Sequence, residues 1–314
     1  MARQFLADVI SDLSRFPKKL SSKYFYDEAG DKLFQQIMNC DEYYPTDCEL
    51  EIFTSRTDEL VAAFTNSTAP FDLIELGAGD ATKSSFLLSA LVAKGVDFKY
   101  IPIDISGTMI NYLETSLPNR IPGLTVNGLK GDYFDMLDQA YMRSERRKVL
   151  LFLGGNLGNM PVADALGFCQ RLHESMKPGD LLLLGFDLKK NPQIILAAYN
   201  DIGGLTRDFN LNLLKRVNRE LDGNFVIENF QHYPSYDPET GACKSYLISL
   251  TDQEVVIAGN TFSFAKDEFI DMEISQKYSI AETDNMATDS GFVPVKHLLD
   301  SKGWFLDTIW EVSQ

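Results

Sequence analysis

Short apolar segments alternate with longer amphipathic segments from about residue 70 onward, and this alternation constrains the fold more than any other feature. An apolar run of about six residues has the length of a buried strand, and each amphipathic segment has the periodicity of a helix. Strands that alternate with helices in this way predict a doubly wound α/β fold with a parallel sheet. The apolar runs are FDLIEL (71–76), FKYIPI (98–103), LTVNGL (124–129), KVLLFL (148–153) and DLLLLGF (180–186).

The C-terminal segment predicts an antiparallel hairpin at one edge of this sheet. Two strand-like segments, FVPVKHLLD (292–300) and WFLDTIWEV (304–312), are separated only by residues 301–303. So short a connection joins antiparallel neighbours, because a parallel pair needs a crossover of about a dozen residues or more.

The remaining segments predict a second, smaller α+β domain. Residues 1–60 are helical with an aromatic-rich turn, and residues from about 200 to 280 combine a helical stretch with strand-like runs such as KSYLISL. We expect the sheet domain to comprise residues 61–197 and 285–314. The smaller domain would then comprise residues 1–60 and 198–284.

Charge and hydropathy limit the partners of this chain. Acidic residues outnumber basic residues, 45 against 29, and the formal net charge of −16 disfavours nucleic acid and anionic membranes as partners. No apolar run approaches the ~20 residues that span a bilayer. Asp8 and Asp12 interrupt the N-terminal segment where a secretory signal needs an apolar stretch, so this segment reads as a helix. We expect a cytoplasmic monomer that acts on a small molecule.

The cysteines and histidines are not spaced like metal ligands. The four cysteines include no C-x-x-C pair, and the three histidines include no H-E-x-x-H motif. We therefore expect no metal, no disulfide framework and a reducing compartment.

Glycines and carboxylates at successive strand ends predict an adenosyl cofactor. The first strand is followed by ELGAGDATKS (75–84), in which glycines allow a tight turn and a close approach to a ligand. Asp104 ends the second strand, where its carboxylate can accept hydrogen bonds from both ribose hydroxyls. Asp132 and Tyr133 follow the third strand, in a position to contact adenine. Each acid taken alone is more typical of a loop or a helix cap, whereas the glycine turn, Asp104 and Asp132 at three successive strand ends together favour a cofactor site.

S-adenosylmethionine fits this pattern better than NAD or ATP. The dinucleotide fingerprint requires a third glycine where this chain has Thr82, and the G-x-x-x-x-G-K-[ST] motif of ATP-binding loops does not occur. A sulfonium cofactor carries no phosphates, which suits an acidic protein.

The loop GGNLGN (154–159) follows the fourth strand, where a substrate commonly lies above such a sheet. Asn159 offers both a donor and an acceptor to a zwitterion. A glycine-rich turn with asparagines in left-handed conformations explains the same residues equally well.

A series of motifs along the chain occurs in one order: KYFYD (23–27), EYYPT (42–46), ELGAG (75–79), FLGGNLGN (152–159), AYND (198–201) before GG (203–204), NRE (218–220), FQH (230–232) and EISQKY (273–278). In these motifs the whole chain resembles the ergothioneine-pathway L-histidine Nα-methyltransferases, which make trimethylhistidine (hercynine). The resemblance implies a class I S-adenosylmethionine methyltransferase fold with a smaller substrate-binding domain.

The resemblance also implies roles for individual residues. The S-adenosylmethionine contacts are Gly77, Lys83, Asp104, Asp132 and Tyr133. Tyr43, Asn159 and Tyr199 fall where the family holds the amino and carboxylate groups of the amino acid, with Tyr43 orienting the amine and no dedicated general base. Glu273 and Ser275 fall where the family grips the imidazole. The product of the cofactor would be S-adenosylhomocysteine.

One position departs from the family and leaves the substrate open. The family often has a methionine beside the imidazole, where this chain has Ser245 in the segment CKSYL (243–247). A roomier or more polar pocket would admit another amino acid or an aromatic amine such as tryptophan. A non-catalytic sensor and a nicotinamide oxidoreductase are more remote alternatives. For a trimethylammonium product, Tyr26, Phe34 or Tyr43 would face the cation.

Overall fold

The computed structural model describes residues 2–67 and 69–313. Its helices are α1 Ala2–Leu13, α2 Glu28–Met38, α3 Tyr44–Ser55, α4 Thr57–Phe64, α5 Ser84–Ala93, α6 Gly107–Arg120, α7 Tyr133–Arg143, α8 Val162–Ser175, α9 Pro192–Ala198, α10 Leu205–Leu221 and α11 Ile280–Asp289. Its strands are β1 Lys18–Lys19, β2 Phe71–Leu76, β3 Phe98–Asp104, β4 Leu129–Lys130, β5 Arg147–Phe152, β6 Leu181–Asp187, β7 Phe230–Tyr236, β8 Ala242–Ser249, β9 Gln253–Ile257, β10 Asn260–Phe264, β11 Phe269–Gln276, β12 Phe292–Leu299 and β13 Phe305–Val312.

The chain divides into two compact units. The larger unit comprises Pro45–Lys189 and Gln276–Gln314, and the smaller unit comprises Met1–Tyr44 and Lys190–Ser275. The larger unit contains a seven-stranded sheet in the order β12-β13-β6-β5-β2-β3-β4. Strands β4, β3, β2, β5 and β6 are parallel, whereas β13 is antiparallel to both β6 and β12. The predicted parallel sheet and the predicted C-terminal hairpin are therefore both confirmed.

Complete burial explains why these strands have apolar sequences. Every residue of β2 and β6 is buried. One face of the sheet packs against helices α7, α8 and α11 in a core that includes Ile74, Leu150 and Trp310. Because the strands are parallel, the turns that follow β2, β3, β4 and β5 all lie at one edge of the sheet.

The third strand is shorter than the sequence predicts. The run 124–129 was expected to pair throughout, but only Leu129 and Lys130 form β4, and Val126 makes an isolated bridge to Tyr100. Gly128 donates its backbone N–H to the Glu114 carboxylate of α6, at 2.9 Å, instead of to a strand. A Cβ on Gly128 would lie 2.4 Å from the Ile110 side chain, so α6 approaches too closely here for a regular strand.

The smaller unit is built on a four-stranded sheet in the order β1-β11-β8-β7, with a separate hairpin of β9 and β10. Helices α1 and α10 pack with this sheet in a second core that includes Val9, Leu213, Leu247 and Met272. The N-terminal segment forms helix α1, as its apolar periodicity predicts. Among residues 2–67 and 69–313, no helix is both long and apolar enough to cross a membrane.

The bounds of the compact units differ from the bounds expected for the domains. Residues 45–60 and 276–284 were expected in the smaller domain, but they cluster with the larger unit, whereas residues 190–197, expected in the sheet domain, cluster with the smaller unit. Helix α4 packs against α5, and Leu60 and Phe64 are fully buried, which ties this stretch to the sheet. The roles of cofactor binding and substrate binding for the two units stay predictions.

Candidate active site

The glycine turn after β2 brings Tyr133 against its backbone. Gly77 and Gly79 have φ values of +68° and +53°, a left-handed region that favours glycine. A Cβ on Gly77 would lie 2.7 Å from the Tyr133 hydroxyl oxygen. The turn therefore needs glycine at position 77 for its conformation and for the close approach of Tyr133. Gly77 and Tyr133 are two of the predicted cofactor contacts.

The two predicted carboxylates end neighbouring strands of the same sheet. Asp104 is half-buried, and its Oδ1 accepts the backbone N–H of Ser106 at 2.7 Å. Asp132 is exposed and caps α7, with Oδ1 accepting the backbone N–H of Phe134 at 3.0 Å. The pKa of Tyr133 is raised, first by burial and then by the negative charges of Asp104 and Asp132. The phenol thus lies close to both carboxylates.

Ile105 was not singled out by the sequence. It directly follows Asp104 and is 82% exposed, an unusual position for a large apolar side chain. A glycine turn, two strand-end carboxylates and an exposed apolar side chain supply what an adenosine needs: close backbone approach, acceptors for hydroxyl and amino groups, and an apolar face. The residues present therefore fit S-adenosylmethionine.

Lys83, the cationic residue of the glycine turn, has a partner that the sequence did not indicate. Its ammonium is paired with the carboxylate of Glu49, a fully buried residue of α3. Burial lowers the pKa of Lys83, but the adjacent Glu49 carboxylate more than offsets this, and the net pKa is raised. Lys83 therefore stays charged although most of its side chain is buried.

Glu75, near the end of β2, is a buried acid whose pKa lies close to neutral pH. It accepts a hydrogen bond from the Tyr100 hydroxyl at 2.6 Å, yet burial raises its pKa from 4.5 to about 7. The folded protein therefore retains this proton at pH values where the unfolded chain has lost it. The contribution of Glu75 to stability accordingly falls as pH rises from 4.5 to about 7.

We expect Glu75→Gln to remove this loss, because a neutral amide keeps an acceptor for Tyr100 without a proton to lose. Relative to the wild type, the variant should gain roughly 3 kcal/mol of unfolding free energy between pH 4.5 and pH 7. Urea unfolding of both proteins at these two pH values measures the change. Parallel pH dependences would contradict the assignment.

Asn159 lies in the larger unit, at the end of a short 3-10 helix, Asn156–Asn159, where its side chain is exposed. Gly155 precedes this helix with φ +65°, and a Cβ on Gly158 would lie 2.8 Å from the Gln276 carbonyl oxygen. The backbone alone thus requires glycines in this loop, which leaves the ligand role of Asn159 a prediction.

The smaller unit brings together three of the residues predicted to hold the amino acid. The Tyr199 hydroxyl donates to Ser275 Oγ at 2.6 Å, and both residues are buried. The ring of Tyr43 lies edge-on to that of Tyr199, with centroids 6.3 Å apart. The sequence assigned Tyr199 to the carboxylate and Ser275 to the imidazole, whereas the structure links the two directly.

Aromatic rings continue from Tyr43 through the smaller unit. Phe34 lies 6.3 Å from Tyr43 and 5.5 Å from Tyr26, between ring centroids. Phe209 of α10, which the sequence analysis did not name, contacts both Tyr26 and Phe34. Phe209 was missed because its position in a helical apolar stripe is typical of core residues.

Glu273 lies on β11 two residues before Ser275, so both side chains point to the same face of the strand. Glu273 is half-buried. The pKa of Tyr26 is raised by burial of its hydroxyl and then by the charge of Glu273, so the tyrosine and the carboxylate are neighbours. Of the aromatic residues, Tyr199 is hydrogen-bonded to the predicted imidazole-binding strand at Ser275.

Ser245, the position that departs from the family, is buried on β8 with 1% exposure. Its hydroxyl has no hydrogen-bond partner among the described residues. Along β8 it alternates with Lys244 and Tyr246, which are partly exposed, and shares its buried side of the strand with Leu247. Among residues 2–67 and 69–313, no group of histidine, cysteine and acidic residues is arranged to hold a metal ion.

Comparison with known proteins gives one family. A family model described as "Histidine-specific methyltransferase, SAM-dependent" matches residues 5–312. Histidine N-alpha-methyltransferase of Mycobacterium tuberculosis is 34% identical over 273 residues, which cover 86% of this chain and 83% of that protein. Ergothioneine biosynthesis protein 1 of Schizosaccharomyces pombe is 29% identical, and the match covers 84% of this chain and 35% of that protein. L-tryptophan methyltransferase trpM of Psilocybe serbica is also 29% identical, over 92% of this chain and 87% of that protein.

The matched segment spans both compact units. The chain therefore belongs to the histidine-specific, S-adenosylmethionine-dependent methyltransferases, and it is an N-methyltransferase with the class I fold.

Proposed function

We propose that this enzyme methylates the α-amino nitrogen of L-histidine and repeats the transfer to give the trimethylated product, hercynine. The observation that carries the proposal is the grouping of Tyr43, Tyr199 and Ser275 in one unit, with Glu273 on the same strand face as Ser275. The name of the Mycobacterium tuberculosis relative supports histidine as the substrate. The name of the Schizosaccharomyces pombe relative refers to ergothioneine biosynthesis, the pathway of the family that makes trimethylhistidine and that the sequence resembles.

Imidazole chemistry matches the two polar residues of β11. A neutral imidazole has one N–H donor and one acceptor nitrogen. Glu273 can accept from the N–H, while the Ser275 hydroxyl can accept from Tyr199 and donate to the other nitrogen. This pair would recognise both ring nitrogens, and a side chain without them would forgo both hydrogen bonds. Tyr199 and Asn159 would hold the α-carboxylate.

In the larger unit, the proposed cofactor contacts are those named from the sequence together with Ile105. Asp104 would accept from the ribose hydroxyls, and Asp132 from the adenine amino group. The glycine turn at Gly77 allows the backbone to approach, and Ile105 and Tyr133 supply apolar surface for the base. S-adenosylmethionine, when bound, supplies an electrophilic methyl group and leaves as S-adenosylhomocysteine. No step of this account requires a metal.

Methyl transfer requires the amine to attack the methyl carbon in line with the breaking carbon–sulfur bond. The nitrogen lone pair of the amine would form the new N–CH₃ bond with the methyl group that S-adenosylmethionine supplies, and the proton released from the methylated amine would pass to water. The protein contributes mainly orientation, which Tyr43 provides at the amine. Successive products carry a growing cationic ammonium group, which the faces of Tyr26, Phe34 and Tyr43 can stabilise.

We expect kcat/KM for histidine to rise with pH, because only the neutral amine has a lone pair and no side chain here serves as its dedicated base. The slope below the pKa of the amine should be about tenfold per pH unit. Initial rates measured between pH 6 and pH 9 at saturating S-adenosylmethionine provide the check. A rate that stays constant across this range would contradict the absence of a general base.

Tryptophan is the second candidate substrate. The relative named for tryptophan is 29% identical over 92% of this chain, and Ser245 places a small side chain where the family often has methionine. The two candidates are separated by incubating the enzyme with labelled S-adenosylmethionine and each of the common amino acids. Histidine should give the highest kcat/KM, and a preference for tryptophan would overturn the substrate assignment.

A further inference from the structure

The carboxylate of Glu49 connects two loops at the carboxyl edge of the sheet in the larger unit. One oxygen pairs with the ammonium of Lys83, which ends the glycine turn after β2. The other oxygen accepts the backbone N–H of Gly154, the second residue after β5, at 2.7 Å. Both loops are therefore fixed to one side chain from α3.

The fold leaves space specifically for this carboxylate. Gly185 lies within β6, and a Cβ at that position would be 2.5 Å from Glu49 Oε1. Any larger residue at position 185 would displace the acid. Burial of an ionised carboxylate is costly unless it is paired and hydrogen-bonded, and Glu49 meets both conditions.

A second buried acid, Asp307, lies near the ion pair of Glu49 and Lys83. Asp307 of β13 is fully buried, and neither of its oxygens has a hydrogen-bond partner among the described residues. Burial and the charge of Glu49 raise the pKa of Asp307 well above its usual range. The salt bridge of Lys83 is made to Glu49, and Asp307 takes no part in it.

We propose that Glu49 is a positioning residue for the methionyl end of the cofactor, acting through Lys83. This inference rests on the proposed function. The α-carboxylate is the only anionic group of S-adenosylmethionine, and Lys83 is the cation of the glycine turn. Glu49 holds the flexible lysine side chain in place, with ammonium protons remaining for a second carboxylate. It also fixes the loop that carries Asn159.

The test compares two ligands that share adenosine but differ in the amino-acid tail. S-adenosylhomocysteine has the carboxylate, and 5′-methylthioadenosine lacks it. In Glu49→Gln, the dissociation constant measured by calorimetry should rise about tenfold for S-adenosylhomocysteine and stay unchanged for 5′-methylthioadenosine. Glu59→Gln is the matched control, since Glu59 pairs with Lys296 at 2.8 Å in the same unit, and it should bind both ligands as the wild type does.

The double variant Glu49→Gln/Lys83→Met keeps the test decisive if the single variant does not fold. It removes both charges and so leaves no unpaired ion in the core. It should bind S-adenosylhomocysteine no more weakly than Lys83→Met alone, because Glu49 acts through Lys83, and a further loss of affinity in the double variant would contradict this route. If Glu49→Gln binds both ligands equally more weakly, Glu49 has only a structural role. If Glu49→Gln binds S-adenosylhomocysteine more tightly, the Glu49 carboxylate competes with the cofactor for Lys83. A wild type that binds neither ligand would instead refute the proposed cofactor site.

Discussion

Replacement of Glu273 by alanine should raise the Michaelis constant for histidine by roughly ten- to a hundredfold, which corresponds to about 1.5–3 kcal/mol. The side chain would accept a charge-assisted hydrogen bond from the imidazole, and alanine offers no acceptor. Because Glu273 belongs to the smaller unit, the dissociation constant for S-adenosylmethionine should not change. Steady-state kinetics and calorimetry measure the two quantities separately.

Asp271→Asn is the matched control for this variant. Asp271 lies two residues before Glu273 on β11 and pairs with Lys244 at 3.1 Å. Loss of a carboxylate there should leave the Michaelis constant for histidine within about twofold of the wild type, as surface ion pairs contribute little. An unchanged constant in Glu273→Ala would refute the assignment of Glu273 to the imidazole.

Asp104→Asn should weaken binding of S-adenosylmethionine by roughly ten- to a hundredfold, because hydrogen bonds to a charged acceptor contribute about 1.5–3 kcal/mol. Asparagine keeps an oxygen for the Ser106 backbone N–H, so the turn after β3 should survive the change. The amide lacks the charge and the second acceptor needed for two ribose hydroxyls. Calorimetric titration with S-adenosylmethionine gives the dissociation constant.

Asp80→Asn offers a close comparison for Asp104→Asn. Asp80 is an exposed acid of the glycine turn whose Oδ1 accepts the Thr82 backbone N–H at 2.9 Å. Asp80→Asn therefore removes a carboxylate that makes a similar local hydrogen bond but has no proposed contact with the ribose. If both variants bind S-adenosylmethionine as tightly as the wild type, the ribose is held elsewhere.

The sequence predicts the architecture of the larger unit well because burial and periodicity are local properties. Strands that are buried on both faces are mostly apolar, as β2 and β6 are apart from Asp72, Glu75 and Asp187. The prediction fails at residues 124–128, where the approach of α6 to Gly128 interrupts the strand. That approach depends on tertiary packing, which an apolar run does not encode.

The candidate site is only partly predictable for the same reason. Gly77, Asp104 and Asp132 follow strands and can be found by counting along the chain. Glu49 is distant in sequence from Lys83 and Gly154, and nothing in α3 marks it as their partner. Its one indirect signal is Gly185, a glycine inside an otherwise apolar strand, which indicates a close approach by another group.

The central claim is that the enzyme moves methyl groups from S-adenosylmethionine to the α-nitrogen of histidine. Mass spectrometry of histidine incubated with the enzyme and methyl-labelled S-adenosylmethionine tests it most directly. The account predicts a product with three labelled methyl groups, all located on the α-nitrogen by fragmentation. Unlabelled histidine, or label on an imidazole nitrogen, would contradict it.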